Sequence, residues 1–335
     1  MQIFGLQVNT SYVYVGSGTL GGLGLCYALY KLFKRKSKEK ITYIEELAVV
    51  EDLKLPELLE HDFGNYLATC QTVDAKASAF LNELPEHFFR FNDTLLQLIC
   101  AHFAQKRLRR CTRTLVIGSG TGKLVFELDN YCSQVIGVDI FFSRIITCFR
   151  FQNDSQVKYD FPLEGTYRTV EKEAVVTKVA SADEVDSESL AIKSVDKILK
   201  SKLRKESTEF VNADIGSTGL SLHLGQFQVV IITDEINETS DPEVLLRNVH
   251  RYVETEGLLI ICTDYNWKRT TNQKQGFTKS TIKTSFDFFK FMLRGFFDLV
   301  EESNIPDVVG VSLRSCIVRN MHVTVWERNN RPILP

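Results

Sequence analysis

The first thirty residues carry no charged side chain, and nowhere do cysteines pair as C-x-x-C or stand near histidine at zinc-site spacing. That leaves no metal site and no disulfide framework to expect. Cys26, Cys70, Cys100, Cys111, Cys132, Cys148, Cys262 and Cys316 read instead as small buried hydrophobes of a reducing compartment. Excess positive charge is also missing, since 40 Lys and Arg against 42 Asp and Glu leave a net charge of -2. A phosphate backbone would find no basic surface to follow, so nucleic acid is not the expected partner and a small-molecule substrate is. No internal repeat is present. At 44% hydrophobic and 24% charged residues the composition is that of an ordinary globular chain with a sizeable core.

From Tyr12 to Phe33 the chain is apolar, aromatic or glycine apart from a few hydroxyls and Lys31. About twenty such residues span the hydrocarbon core of a bilayer. Lys31, Lys34, Arg35, Lys36, Lys38 and Lys40 follow on one side only, which favours a cytosolic C-terminal side. Residues 1–40 are therefore expected to be a single-pass anchor, suited to the endoplasmic reticulum or the mitochondrial outer membrane. Gly18 and Gly22 form one G-x-x-x-G pair, a weak signal for dimerisation through that helix.

Residues 41–79 form a charged stalk or lead-in with short helical patterns such as Pro56–Glu60, and residues 80–330 form the main domain. Phe80, Leu81, Leu84, Phe88, Leu95, Leu96, Leu98 and Ile99 recur at near-helical spacing, predicting a helix over 79–106. Strands are expected at 113–117, 134–138, 209–211, 229–232 and 258–262. Helices fit 124–131, 143–152 and 242–253, and a last strand pair fits 298–301 and 322–327. Strands and helices alternating in this way predict an α/β, Rossmann-like, doubly wound and mainly parallel sheet. The stretch 153–208 interrupts the rhythm as an insertion, with a hairpin around 169–178 and a charged helix around 189–205.

Strand, glycine turn and helix meet in Leu115–Gly122. Gly118, Gly120 and Gly122, with Ser119 between the first two, allow a sharp turn and a close approach of backbone to ligand. The spacing is G-x-G-x-G, not the dinucleotide G-x-G-x-x-G, so no pyrophosphate is required. Asp139 ends the next strand, where a carboxylate can take both hydroxyls of a ribose. Asp214, in Asn212-Ala213-Asp214, ends the third, within reach of an adenine amino group. Three features at the C-terminal ends of successive strands point to an adenosyl ligand at the switch point of the sheet.

On these residues the chain resembles the class I S-adenosylmethionine-dependent methyltransferases. Within them it is similar to the 4-mercaptohistidine N1-methyltransferase group, the C-terminal domain of ovothiol biosynthesis enzymes. The similarity rests on Leu84–Phe89, Gly137–Asp139, Asp241-Pro242, Tyr265-Asn266-Trp267 and Thr324-Val325-Trp326. Three departures stand out. Val116 replaces an acid common two residues before the first glycine, Phe227-Gln228 replaces Phe-Asp, and Asp234–Asn237 replaces an Asn-Leu-Ile-Asp pattern. The resemblance implies S-adenosyl-L-methionine as cofactor and N-methylation of a small imidazole-type, mercaptohistidine-like substrate. It implies acceptor-site roles for Asp234, Asn237, Tyr265 and Trp267, while Arg314 and His322 are weaker candidates. Since the departures fall near the acceptor side, the competing reading is an inactive, membrane-tethered S-adenosylmethionine-binding scaffold or sensor.

Overall fold

The computed structural model describes residues 55–108, 112–164, 168–176, 207–215, 224–233, 235–239, 241–266 and 283–331, with a short pairing of Gln2–Ile3 against Leu6–Gln7. The expected anchor at 1–40 and the charged helix at 189–205 lie outside the described residues. Among those described, no helix is long and apolar enough to cross a membrane.

Two short helices come first, α1 (Leu55–Phe63) and α2 (Tyr66–Asp74), the second capped by the Asn65 side chain on the Ala68 amide. The single helix expected over 79–106 is broken. Pro85 stands between two 3-10 turns, Ala79–Glu83 and Glu86–Phe89, and only α3 (Phe91–Gln105) is α-helical. Proline lacks an amide to donate and restricts the residue before it, here Leu84, to extended backbone.

The alternating part follows as β1 (Arg113–Ile117), α4 (Lys123–Leu128), β2 (Gln134–Asp139) and α5 (Phe142–Asp154). The insertion then forms an antiparallel hairpin, β3 (Gln156–Glu164) and β4 (Arg168–Val175). After it come β5 (Thr208–Asn212), β6 (Phe227–Ile232), α6 (Glu235–Glu238) and α7 (Pro242–Asn248). The chain continues with β7 (Val253–Thr263), α8 (Ser285–Leu293), β8 (Phe297–Ser312) and β9 (Ser315–Arg328).

The strands form a seven-stranded sheet in the order β8-β9-β7-β6-β1-β2-β5. The five from β7 to β5 are parallel, while β9 runs antiparallel to both β7 and β8. Successive residues of the central strands feed opposite layers. Val116, Val229, Ile231 and Ile260 pack with α3, α4 and α5, while Leu115, Ile117, Val230 and Ile261 pack with α7 and α8. Burial on both faces accounts for the unbroken apolar run Val229–Ile232. Side-chain caps mark two of the helix starts on the second face, Asp241 on Val244 and a reciprocal Thr284–Asp287 pair.

The β8–β9 hairpin is much longer than the sequence indicates. Strand β9 pairs with β7 only over His322–Glu327, yet the hairpin ladder continues to Ser312 opposite Ser315. Its distal half overhangs the C-terminal edge of the sheet, and α1 and α2 lie against it instead of standing apart as a stalk. The Tyr66 hydroxyl donates to the Ser312 carbonyl at 2.7 Å and the Ser315 carbonyl at 3.1 Å. Gly310 lies so close under the Tyr66 ring that a Cβ would overlap it, so glycine is required here for contact and not for its backbone freedom. The insertion hairpin joins the same layer. Buried Glu60 of α1 accepts from Tyr159 at 2.5 Å and Lys172 at 2.8 Å, and the Leu313 amide donates to the Leu163 carbonyl.

Candidate functional site

Strand β1 delivers its chain into the glycine loop at the C-terminal edge of the sheet. Gly118, Gly120 and Gly122 adopt φ of 81°, 54° and 89°, a left-handed series that L side chains rarely follow. A Cβ at Gly122 would press on Phe126, Cys148 and Phe210, whereas one at Gly120 would meet nothing within 4 Å. One glycine serves packing beneath the loop, and the other leaves a bare face above it.

The loop is closed by its own bonds. The Gly118 and Ser119 amides donate to the Val138 carbonyl at 2.8 and 3.0 Å, and the Gly120 amide donates to Asp139 Oδ2 at 2.9 Å. Asp139 Oδ1 accepts from the Phe141 amide at 2.8 Å, and Arg144 stands 3.6 Å from Oδ2 while stacking on the Phe141 ring. Asp139 has 0% exposure. In this conformation the Asp139 carboxylate holds the glycine loop. The Ser119 hydroxyl is buried and has no hydrogen-bond partner among the described residues. Asp214 is exposed one residue beyond the Ala213 amide, which donates to the Asp139 carbonyl.

The ends of β6 and β7 form the second half of the site. The Thr233 hydroxyl donates to the Gly118 carbonyl at 2.6 Å, tying β6 to the glycine loop. Asn237 donates to Asp264 at 2.8 Å and accepts from the Thr263 hydroxyl at 2.9 Å, so it joins the ends of β6 and β7 and does not merely cap a helix. Tyr265 takes a left-handed φ of 59°, with its amide on the Thr263 hydroxyl. Its phenol lies 2.6 Å from His322 Nδ1, and His322 Nε2 lies 3.2 Å from Glu302. Burial, then the Glu302 charge, pushes the Tyr265 pKa up, so the phenol stays protonated and donates to Nδ1. Nε2–H then donates to Glu302, which fixes the imidazole tautomer. Asp234 and Trp267 lie outside the described residues. Arg314 is exposed, 3.9 Å from Asp74 on the outer layer.

Two of the sequence departures are explained by position. Val116 is fully buried in the core. Gln228 sits at the opposite edge of the sheet, accepting from the Arg113 amide at 2.7 Å and donating to Glu254 at 2.8 Å, away from the glycine loop.

Sequence reasoning missed a third group altogether. Thr121 of the glycine loop donates to Asp62 Oδ2 on α1. Asp62 Oδ1 accepts from His61 Nδ1 at 3.0 Å and from Asn92 at 3.3 Å, and His61 Nε2 donates to Asp307 at 2.8 Å. Arg319 completes the group on Asp307 Oδ2 at 2.5 Å. Burial disfavours the His61 cation, but the Asp307 charge and the bonds to both carboxylates outweigh it and raise the pKa to about 10. No local pattern marks these residues, whose partners lie far away in sequence. Among the described residues no cluster of His, Cys, Asp and Glu could hold a metal ion.

No protein-family model matches the sequence, and no curated protein matches it either. Among solved structures, the magnesium protoporphyrin IX methyltransferase of Synechocystis PCC 6803 is similar at 10% identity and a TM-score of 0.40, covering 72% of this chain and 81% of that one. The N-methyltransferase NodS of Bradyrhizobium japonicum WM9 is similar at 11% identity and a TM-score of 0.39, covering 72% and 98%. A precorrin 8W decarboxylase of Methanobacterium thermoautotrophicum is similar at 12% and 0.36, covering 69% and 89%.

Proposed function

We propose that the chain is an S-adenosyl-L-methionine-dependent methyltransferase acting on the ring nitrogen of a small imidazole-type substrate. One observation carries this reading: at the C-terminal edge of the parallel sheet, a glycine loop with a bare face follows β1, and a Tyr–His–carboxylate chain begins at the end of β7, two strands along. The loop fits an adenosyl sulfonium better than a nucleotide phosphate. The amides of Gly118, Ser119 and Gly120 are already committed within the loop and are not available to cradle an anion. Gly120 and the orphaned Ser119 hydroxyl would hold the ligand, with Asp139 keeping the loop in shape.

The cofactor, when bound, supplies an electrophilic methyl carbon on a sulfonium, and the protein has to align the acceptor nitrogen and exclude water. Asn237, bridging Thr263 and Asp264, fixes the acceptor side of the wall. Methylation of one ring nitrogen would leave the proton on the other ring nitrogen acidic. Tyr265 oxygen is placed to accept that proton while passing its own to His322 Nδ1, and His322 Nε2–H in turn faces Glu302. Glu302 is half exposed, so the proton can leave to solvent.

Replacing Tyr265 with Phe, or His322 with Gln, is expected to leave cofactor affinity by calorimetry nearly unchanged and to slow methyl transfer ~10- to 1000-fold. Equal turnover in both variants would remove the chain from the mechanism. Retained cofactor binding without transfer to imidazole, amine or thiol acceptors would identify a scaffold instead. We further propose that the uncharged N-terminal segment and its basic flank tether this domain to the cytosolic face of a membrane. Alkaline carbonate should then leave the full chain in the pellet, and release into the supernatant would exclude the tether.

A further inference from the structure

We propose that Asp62, carried on α1 and not on the parallel sheet, receives the ammonium group at the amino-acid end of an adenosyl ligand and turns the glycine loop against nucleotide phosphates. This rests on the adenosyl reading above and names the group that selects among adenosyl ligands.

Among the described residues, two carboxylates touch the glycine loop. Asp139 is fully buried, with one oxygen on the Gly120 amide of the loop and the other on the Phe141 amide after β2. Asp62 holds the loop through Thr121 and keeps 16% side-chain exposure, the more open of the two to a ligand. The strand entering the loop offers only Leu115, Val116 and Ile117, all fully buried, so a cationic ligand group finds no countercharge there. In the loop that Asp62 holds, the buried Ser119 hydroxyl lacks a partner among the described residues, and Gly120 faces open space.

Charge decides which ligand this suits. His61 is shared between Asp62 and Asp307, and Asp307 also takes Arg319, so two cations are spread over two carboxylates. Lys123, at the end of the loop, is drawn to Glu127 at 3.0 Å and lies over the Phe63 ring. A phosphate entering here would meet Asp62, and the cations His61, Arg319 and Lys123 are already engaged among the described residues. An ammonium would add a charge-assisted hydrogen bond to the same carboxylate. Burial opposes ionisation of Asp62, but the bonds from His61, Thr121 and Asn92 keep its pKa below the usual carboxylate value, so the charge is present at neutral pH.

The test is calorimetry on the full chain with S-adenosylhomocysteine, its analogue lacking the amino group, methylthioadenosine and ATP. Wild type should bind S-adenosylhomocysteine at least ~10-fold more tightly than the deamino analogue or methylthioadenosine, with ATP weakest, the scale of one charged hydrogen bond. Asp62→Asn can still accept from Thr121, and it should weaken S-adenosylhomocysteine ~10- to 100-fold while methylthioadenosine binding persists and reports an intact pocket. Equal binding of the deamino analogue by wild type, which requires no variant to fold, would overturn the assignment while leaving the adenosyl site standing. An unchanged preference in Asp62→Asn would do the same. Failure of wild type to bind any adenosyl probe would overturn the adenosyl reading along with it.

Discussion

Replacing His61 with alanine should lower the unfolding free energy at pH 7 by about 3–5 kcal/mol, the cost of removing one partner from a buried ion-pair group. The imidazole side chain is only 10% exposed and Asp307 beside it 1%, so water cannot take over the lost contacts. Both carboxylates would keep their burial and lose a shared cation. Urea unfolding of the apo-protein measures this, and a loss under ~1 kcal/mol would mean that desolvation of the imidazolium cancels its attraction.

The pH dependence has a definite sign. The His61 pKa rises from 6.5 to about 10 on folding, so its contribution is complete below pH 6.5 and fades as pH climbs through 10. Asp62 and Asp307 are shifted the other way, down from 3.8. Their contribution is present above that value and is lost on acidification. Wild type should therefore lose stability between pH 6.5 and 10 by an amount that His61→Gln does not. Parallel curves for the two proteins would place the titration elsewhere.

Asp139→Ala should be comparably damaging, about 3–5 kcal/mol in the absence of any ligand. The carboxylate is shared by the Gly120 and Phe141 amides and by Arg144, and buried donors deprived of an acceptor bear their full desolvation cost. Without that anchor the glycine loop loses its left-handed course, and adenosyl binding fails as a consequence. Asp139→Asn, which retains one carbonyl oxygen, should fall between. If Asp139→Ala unfolds at the same urea concentration as wild type yet binds the cofactor poorly, the carboxylate acts on the ligand directly.

Much of the sheet is legible in the sequence because its strands are buried on both faces. Leu115–Ile117 and Val229–Ile232 are unbroken apolar runs, and glycine follows the first at the turn. The long β8–β9 hairpin is not, because Pro306 and Gly310 interrupt its outer half. Proline is tolerated on an edge strand, and Gly310 is dictated by Tyr66, which lies on a distant helix. Glu60, His61 and Asp62 look still more like a solvated surface. Three consecutive polar residues give no hint of burial until their partners Tyr159, Lys172, Asp307 and Thr121 are known. Tyr265 is a candidate through the resemblance and Asn237 through its place after the fourth expected strand, whereas the link from Tyr265 to His322 and Glu302 depends on how β9 is registered between β7 and β8.

The overhanging hairpin also fixes when the site can come into being during synthesis. The glycine loop and the strands flanking it are complete once β6 has been made. The distant countercharge of His61 is not, because Asp307, with Arg319 on its other oxygen, belongs to the β8–β9 hairpin. A ribosome moving from the N-terminus leaves α1 without its counterpart until the β8–β9 hairpin has emerged. The nascent chain thus carries His61 without Asp307, and a glycine loop without its outer layer, from the time β6 is made until that hairpin follows.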